Sequence, residues 1–276
     1  MRGALTFLLL CAAFAAGCSS EDAPAADPGP PVSSVPGGSS GGSSSGSPSA
    51  SPSYVGGQLR ECFIPATEVA VSQVTLRGPG LRLPTARFGS RAGTVLVLLH
   101  QTDTTRCGWG GFGIAAVRAG MAALAPDLCG YGDSNCNQRF IRDPAAQVRL
   151  AAAFAREGMQ ARHVVVVGAS MGGSQTVRAV AAGVDADAFV DVSGPSSWDG
   201  VELIDLADRL RVPGLVIMAD SEARQAVQDA EALAKASGAR FLGAPAGHGV
   251  DLLNDQQTEG LLPLGRQVLD FAASVS

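Results

Sequence analysis

The chain has 276 residues, with 20 lysines and arginines against 25 aspartates and glutamates, which gives a formal net charge of −5 at pH 7. Lys235 is the only lysine and no basic patch stands out, so the sequence argues against nucleic-acid binding. The three histidines do not fall near the cysteines at the spacings of zinc sites, and we therefore expect no bound metal.

The N-terminus has the pattern of an export signal. Arg2 is followed by an apolar run from Ala4 to Ala16, which is shorter than the roughly 20 residues that span a membrane. The ending "AAGC" resembles the lipobox of bacterial lipoproteins, in which the cysteine is lipidated. We therefore expect a signal peptide over residues 1–17, a lipid anchor on Cys18 and an extracytoplasmic protein at the cell membrane. An ordinary cleaved signal peptide with an incidental cysteine is the alternative.

The next stretch is rich in serine, glycine and proline. Residues 19–53 contain no aromatic side chain and almost no large aliphatic one. They cannot bury enough surface to offset the entropy of ordering, so we expect a flexible tether over residues 18–57. The remaining residues 58–276 are enough for one domain with a sizeable core.

Four cysteines fall within the expected domain, at Cys62, Cys107, Cys129 and Cys136. An even number of cysteines in an exported protein indicates two disulfides. Three pairings of four cysteines are possible, and the sequence leaves the choice among them open.

Short apolar segments that suit strands recur along the domain. Two segments of alternating polarity, "EVAVSQVTLRG" and "LRLPTARFG", are joined by a tight "GPG" link and predict an antiparallel hairpin. Continuous apolar runs follow, and their lack of alternation predicts parallel strands buried on both faces. These runs are "TVLVLLH", "MAALAP", "HVVVVG", "DAFVDVSG" and "GLVIMAD".

Longer segments of helical composition lie between the strands, at residues 143–159, 171–183 and 221–238. Asp143 is suited to cap the first of them and Pro144 to its first turn, while Gly238 ends the last. Strands that alternate with helices predict an α/β fold, a mostly parallel central sheet flanked by helices on both faces.

The segment "GASMG" at residues 168–172 fits the pattern G-x-S-x-G. It follows a β-branched run and precedes a helix, which is the context that the nucleophile elbow of the α/β-hydrolases requires. The glycines leave room where strand and helix backbones pass closely, and Ser170 takes the strained position between them. We predict that Ser170 is a nucleophile; the alternative is a small polar cap at a crowded turn.

A serine hydroxyl needs a base to accept its proton and an acid to orient that base. In the α/β-hydrolases the acid and then the histidine follow the serine along the chain. His248 is the only histidine after Ser170, and it follows the expected final strand "ARFLGAP". Two acids follow the strand "GLVIM", and we favour Glu222 slightly over Asp220 because "ADSE" places Glu222 at the family's usual spacing. The other acid is expected to cap the next helix.

The oxyanion of an acyl-transfer reaction needs hydrogen-bond donors aimed at it. The backbone N–H of Met171 follows the serine at a helix start and is the first candidate. The second is the backbone N–H of Gln101 in "LLHQTD", with that of Thr102 as the alternative.

Four segments resemble the α/β-hydrolases, in the order of that family. They are "LVLLHQTDTTRCGW" at the third strand, the turn "APDLCGYGDS", the elbow "GASMGG" and the histidine segment "GHGVDLL". The resemblance spans residues 69–276 and implies the family's fold. Cys129 stands where the family commonly has arginine, and Gln101 where it commonly has glycine. Only residues 193–214 are available for a lid, so the chain is more similar to the compact dienelactone-hydrolase and esterase branch than to lidded lipases.

Two glycine-rich segments could suggest nucleotide binding, but neither has the required context. "GWGGFG" matches G-x-G-x-x-G, yet "QTDTTRC" separates it from the strand end, where a dinucleotide site needs its glycines. "GASMGGS" lacks the lysine of a P-loop. We therefore expect no cofactor.

The sequence thus predicts an extracytoplasmic serine hydrolase, in the first place a carboxylesterase that cleaves small-molecule acyl esters through an acyl-enzyme. Thioester or peptide hydrolysis ranks behind ester hydrolysis. The rival hypothesis from another class is a surface-tethered binding lipoprotein on a hydrolase scaffold that has lost its chemistry. A serine, an acid and a histidine in the required order favour the enzyme.

Overall fold

The computed structural model describes residues 55–255, 258 and 260–275. The predicted signal peptide, Cys18 and the predicted tether up to residue 54 lie outside the described residues. Export, lipidation and the domain boundaries therefore stay predictions. No helix in the described residues is long and apolar enough to cross a bilayer.

The strands of the described chain form a mixed sheet with a parallel centre. They are β1 (Val71–Gly78), β2 (Leu81–Phe88), β3 (Thr94–Leu99), β4 (Ala122–Pro126), β5 (Asn135–Cys136), β6 (His163–Ala169), β7 (Ala188–Val192), β8 (Ser197–Trp198), β9 (Val201–Glu202), β10 (Gly214–Ala219) and β11 (Arg240–Ala244). The main sheet has the order β1-β2-β4-β3-β6-β7-β10-β11, with β5 paired to β2, while β8 and β9 form a separate small hairpin.

Strand direction follows the predictions. The strands from β4 to β11 in this order pair in parallel. β1 and β2 form an antiparallel hairpin at one edge, and β2 joins β4 antiparallel. The predicted hairpin and the predicted mostly parallel sheet are both confirmed.

Helices cover the connections between the parallel strands. The α-helices are α1 (Gly110–Arg118), α2 (Gln138–Ile141), α3 (Pro144–Gly158), α4 (Met171–Ala181), α5 (Arg224–Ser237) and α6 (Pro263–Ala273), and 3₁₀ helices cover Gly57–Cys62, Arg106–Trp109, Leu203–Arg209 and Gly249–Leu252. The Asp143 side chain caps α3 as predicted, accepting a hydrogen bond from the Ala146 N–H at 3.0 Å. α5 ends as predicted at Gly238, which takes the left-handed conformation.

Apolar side chains pack on both faces of the sheet, which explains the continuous valine run of β6. Val164 and Val166 join the core under α3, α4 and α5, whereas Val165 and Val167 join the core under α1 and α6. All of these valines are fully buried. With both faces covered by helices, the carboxyl edge of the parallel strands is the place where loops can build a site.

Two disulfides settle the pairing that the sequence left open. Cys62 bonds to Cys107, and Cys129 bonds to Cys136. The first joins the 3₁₀ helix Gly57–Cys62 to the connection between β3 and α1, and the second closes the connection after β4. Both crosslinks therefore restrain connections that leave the carboxyl edge of the sheet.

Candidate active site

The turn at Ser170 has the backbone shape that a nucleophile elbow requires. Ser170 lies between β6 and α4 with φ +50° and ψ −119°, and it is 9% exposed. A Cβ added at Gly168 would overlap the Gly172 carbonyl oxygen, and one added at Gly172 would overlap the Leu99 carbonyl oxygen at the end of β3. Only glycine fits at both positions, so the sequence rule for this turn has a direct steric cause.

The two predicted oxyanion donors lie at neighbouring strand ends. α4 begins at Met171, whose backbone N–H belongs to the first turn and therefore has no acceptor within the helix. Gln101 follows β3, which pairs with β6. The close approach of Gly172 to the carbonyl groups of Leu99 and His100 brings the start of α4 against this loop. The arrangement is compatible with both predicted donors.

His100 is a buried histidine that sequence analysis did not single out. Its Nε2 accepts a hydrogen bond from the Leu128 N–H at 3.1 Å, so its Nδ1 carries the proton and donates to the Gln101 carbonyl oxygen at 2.8 Å. Burial lowers the pKa of His100, which favours this neutral form. The ring therefore joins the loop after β3, called here the β3 loop (residues 100–105), to the turn after β4.

A buried arginine, also missed by sequence analysis, holds the same region. The Arg106 guanidinium pairs with Asp127, with Glu61 at 2.5 Å and with Asp133 at 3.1 Å. Asp127 also accepts hydrogen bonds from the backbone N–H groups of Arg106 and Asp133, each at 2.9 Å. Arg106 and Asp127 are 2% and 0% exposed, so their charges compensate one another in the interior. Asp127 lies in the segment "APDLCGYGDS", whose resemblance to the family was the one available signal.

The structure brings His248 and Glu222 together. His248 Nδ1 lies 2.5 Å from Glu222 Oε1. Glu222 follows β10 and His248 follows β11, and these two strands are parallel neighbours. The Asp220 carboxylate makes no hydrogen bond or ion pair with any residue that the structure describes. Of the two acids considered, only Glu222 contacts the histidine.

The prediction that the second acid caps the next helix is wrong. α5 begins at Arg224, later than the expected residue 221, with Ala223 in the capping position and no acidic residue in its first turn. The Glu222 N–H donates to the Ala219 carbonyl oxygen at 3.1 Å. This turn uses the residues that would otherwise have begun the helix, so neither Asp220 nor Glu222 caps it.

Three side chains hold the segment that carries His248, called here the histidine loop (residues 245–250). The N–H groups of Gly247, Gly249 and Val250 donate to Ser221 Oγ at 3.3 Å, Ser193 Oγ at 3.1 Å and Gln101 Oε1 at 3.1 Å, respectively. These acceptors follow β10, β7 and β3. The histidine loop is therefore tied to three strand ends.

The histidine loop also lies beside the serine turn. A Cβ added at Gly249 would lie 3.6 Å from the Cβ of Ala169, the residue that precedes Ser170. In the described residues, the Ser170 hydroxyl forms no hydrogen bond within 3.5 Å. Bonds between nucleophile and base are often long without substrate and shorten only in the bound complex. Ser170 and His248 thus follow strands at one edge of the sheet, and Glu222 contacts Nδ1 of the imidazole.

The site is open to solvent. The side chains of His248 and Glu222 are 47% and 26% exposed. Residues 193–214 contain only the hairpin β8–β9 and the 3₁₀ helix Leu203–Arg209, and no inserted domain covers the loops. Within the described ranges, no three His, Cys, Asp or Glu side chains come together to form a metal site.

Asp191 is a buried carboxyl group beneath the site. It lies on β7, is 2% exposed, and accepts a hydrogen bond from the Gly194 N–H at 2.9 Å. Burial raises the pKa of Asp191 from its usual 3.8 to about 7, although the Gly194 hydrogen bond opposes the rise. The fold therefore favours the protonated carboxyl group.

Replacing this carboxyl group makes folding stability less dependent on pH. Because the pKa of Asp191 is higher in the folded state, its contribution is fully present below pH 3.8 and is lost as the pH rises through about 7. A rise from 3.8 to about 7 corresponds to at most roughly 4 kcal/mol. We expect Asp191→Asn, which keeps an acceptor for Gly194, to be more stable than wild type at pH 8, with an advantage that shrinks toward pH 4. Urea denaturation at both pH values measures it, and an advantage that is equal at both would contradict the assignment.

The parallel sheet, the helices on both faces and the serine turn after β6 define the α/β-hydrolase fold. No family model and no curated protein matches the chain. Solved structures do resemble it. A protein described as a predicted CIB-like hydrolase, from Thermoplasma acidophilum, has a TM-score of 0.59 and 18% identity, covering 74% of this chain and 98% of that one.

Two further solved structures show the same likeness. An esterase from Pyrococcus furiosus has a TM-score of 0.62 and 14% identity, covering 83% of this chain and 99% of the esterase. A dienelactone hydrolase from Anabaena variabilis has a TM-score of 0.57 and 17% identity, covering 76% and 97%. At these identities the likeness establishes the fold that this chain shares with the three proteins.

Proposed function

We propose that this protein is a serine hydrolase and, within that class, a carboxylesterase acting on small-molecule esters. The hydrogen bond between His248 Nδ1 and Glu222 Oε1, held beside the strained turn at Ser170, carries the proposal. A carboxylate on one ring nitrogen fixes the tautomer that leaves the other nitrogen free to accept a proton. The fold shared with an esterase and a dienelactone hydrolase supports the same class.

The proposed reaction proceeds through an acyl-enzyme. Ser170 Oγ attacks the ester carbonyl carbon while His248 Nε2 accepts the hydroxyl proton, and Glu222 stabilises the imidazolium that forms. The backbone N–H groups of Met171 and Gln101 donate to the oxyanion. His248 then gives its proton to the leaving alcohol as the carbon–oxygen bond breaks. Water, activated by the same histidine, attacks the acyl-enzyme and releases the acid.

Small esters are the substrates that the open site favours. His248 is half exposed, and the short connection at residues 193–214 leaves its approach free. Such a site offers little enclosed surface to grip a long acyl chain. Thioesters and peptides remain the second candidates, because the same triad chemistry cleaves them. A binding lipoprotein without activity is the alternative from another class.

We also propose that the protein is exported and held at the membrane by a lipid on Cys18. The N-terminal pattern of residues 1–17 is the basis for this. The two disulfides support it, because such bonds persist in oxidising compartments outside the cytosol.

A substrate panel tests the proposed activity. We expect the purified protein to hydrolyse p-nitrophenyl acetate and butyrate with a kcat/KM at least about 10-fold above that for a butyryl thioester or a peptide p-nitroanilide. Enzyme-free buffer corrects for spontaneous ester hydrolysis. A preference for the thioester would change the substrate class, and a folded protein that turns over none of these compounds would favour the binding protein.

A further inference from the structure

The Gln101 side chain bridges the β3 loop and the histidine loop. Its Oε1 accepts the hydrogen bond from the Val250 N–H at 3.1 Å, and its Nε2 donates to Asp103 Oδ1 at 2.9 Å. Gln101 is 9% exposed, and its bond with Val250 is buried, whereas the bond with the exposed Asp103 is only partly buried. The first bond connects residues that are 149 positions apart in the chain.

The amide of Gln101 has one orientation that satisfies both partners. The Asp103 carboxylate can only accept a hydrogen bond and the Val250 N–H can only donate one. Nε2 must therefore face Asp103, and Oε1 must face Val250. Asp103 in this way fixes which end of the amide meets the histidine loop.

The backbone of Gln101 is held as firmly as its side chain. Its carbonyl oxygen accepts hydrogen bonds from His100 Nδ1 at 2.8 Å and from the Thr104 N–H at 3.4 Å. On the opposite side, Gly249 has φ +56°, and a Cβ there would overlap Gln101 Oε1. The two loops thus meet in a close fit that depends on glutamine on one side and glycine on the other.

We propose that the Gln101 side chain is a positioning residue for the hydrolysis proposed above, on which this inference rests. It sets the distance between the catalytic base and the oxyanion donors, because its side chain hydrogen-bonds the loop of His248 while its own backbone N–H is one of the two proposed oxyanion donors. Misplacement of catalytic groups by about 1 Å can cost on the order of 100-fold in rate. Glycine, the residue common in the resembling family at this position, offers no such bond.

Exchanging the amide of Gln101 with the carboxylate of Asp103 tests whether the hydrogen bonds of Gln101, and not only its volume, are needed for activity. Gln101→Glu places two carboxylates face to face and should lower kcat about 10- to 100-fold, with KM changed less than about 3-fold. Gln101→Glu combined with Asp103→Asn restores the pair in reverse, because the asparagine amide donates to the glutamate and the glutamate still accepts from Val250. We expect the double variant to recover at least about 5-fold of the lost kcat.

Two single variants complete the design. Gln101→Met keeps the side-chain volume and loses both bonds, so its kcat should also fall about 10-fold or more. Asp103→Asn keeps an acceptor for the Gln101 amide and gives the baseline for the double variant. Thermal denaturation of each variant shows whether a lower rate accompanies unfolding, and the rescue in the double variant remains informative if Gln101→Met is unstable.

The possible outcomes are distinct. Wild-type activity in Gln101→Met, or a double variant no faster than Gln101→Glu, would overturn the positioning role and leave the proposed function intact. An inactive wild-type protein would overturn the proposed function and this inference with it. Loss of kcat in Gln101→Glu with recovery in the double variant would support the role.

Discussion

Ser170→Ala is expected to lower kcat for p-nitrophenyl acetate by about 10⁶-fold, because the proposed reaction begins with attack by the Ser170 hydroxyl. Removal of one member of a catalytic triad leaves only the rate that the oxyanion donors and substrate binding supply. The substitution removes one oxygen atom and leaves the glycines of the turn in place, so the fold should be retained. Steady-state kinetics with far-UV circular dichroism measure both properties.

Ser174 provides the matched control for this substitution. It lies on α4, the helix that begins directly after Ser170, is fully buried, and its hydroxyl donates to the Pro195 carbonyl oxygen at 2.7 Å. Ser174→Ala should keep kcat within about 3-fold and lower the free energy of unfolding by about 1 kcal/mol. Equal activity in Ser170→Ala and wild type would rule out Ser170 as the nucleophile.

The second large effect is on kcat, and it distinguishes Glu222 from Asp220 as the acid of the proposed triad. Glu222→Gln replaces the carboxylate on His248 Nδ1 with a neutral amide, which can present N–H groups to the ring and favour the wrong tautomer. We expect kcat to fall about 10⁴-fold. Asp220→Asn should stay within about 3-fold of wild type, since that carboxylate makes no hydrogen bond or ion pair with a residue that the structure describes. Both variants are compared by steady-state kinetics with the same ester.

The opposite result would assign the role of the triad acid to Asp220. If Asp220→Asn loses activity and Glu222→Gln keeps it, the acid is Asp220 and the contact at 2.5 Å is not the catalytic one. Full activity in both variants would remove the acid from the proposed triad. Thermal denaturation of both proteins distinguishes a chemical loss from unfolding.

Local sequence pattern was sufficient to predict the sheet and the serine turn. The run Val164 to Val167 is continuous because helices cover both faces of β6. The turn at Ser170 needs glycines at fixed positions because backbones overlap there. The Asp143 side chain caps α3 by accepting a hydrogen bond from the N–H of Ala146, three residues later, which is also a local interaction.

Contacts between distant residues could not be predicted in this way. The cysteine pairing depends on where the 3₁₀ helix Gly57–Cys62 packs, and the partners of Arg106 come from that helix and from the connection between β4 and β5. The bond from Val250 to Gln101 joins residues that are 149 positions apart. None of these contacts has a local periodicity or spacing that would reveal it.

The segment after β10 contains one prediction that agrees with the structure, the acid beside His248, and one that is wrong, the cap of α5. Sequence spacing favoured Glu222 for the triad, and the structure places that residue against His248. The expected helix cap failed because propensity does not define where a turn ends and a helix begins. The turn formed by Ala219 and Glu222 delays α5 and at the same time directs the Glu222 side chain toward the histidine loop.

Covalent labelling with a fluorophosphonate probe tests the central claim most directly, because the probe reacts with activated serine nucleophiles. The full-length protein is treated with the probe, digested and analysed by mass spectrometry, beside Ser170→Ala and Glu222→Gln. We expect a single adduct on Ser170 in the wild type, no adduct in Ser170→Ala and much slower labelling in Glu222→Gln. A folded wild-type protein that remains unlabelled, or an adduct on another serine, would contradict the assignment of Ser170 as the nucleophile.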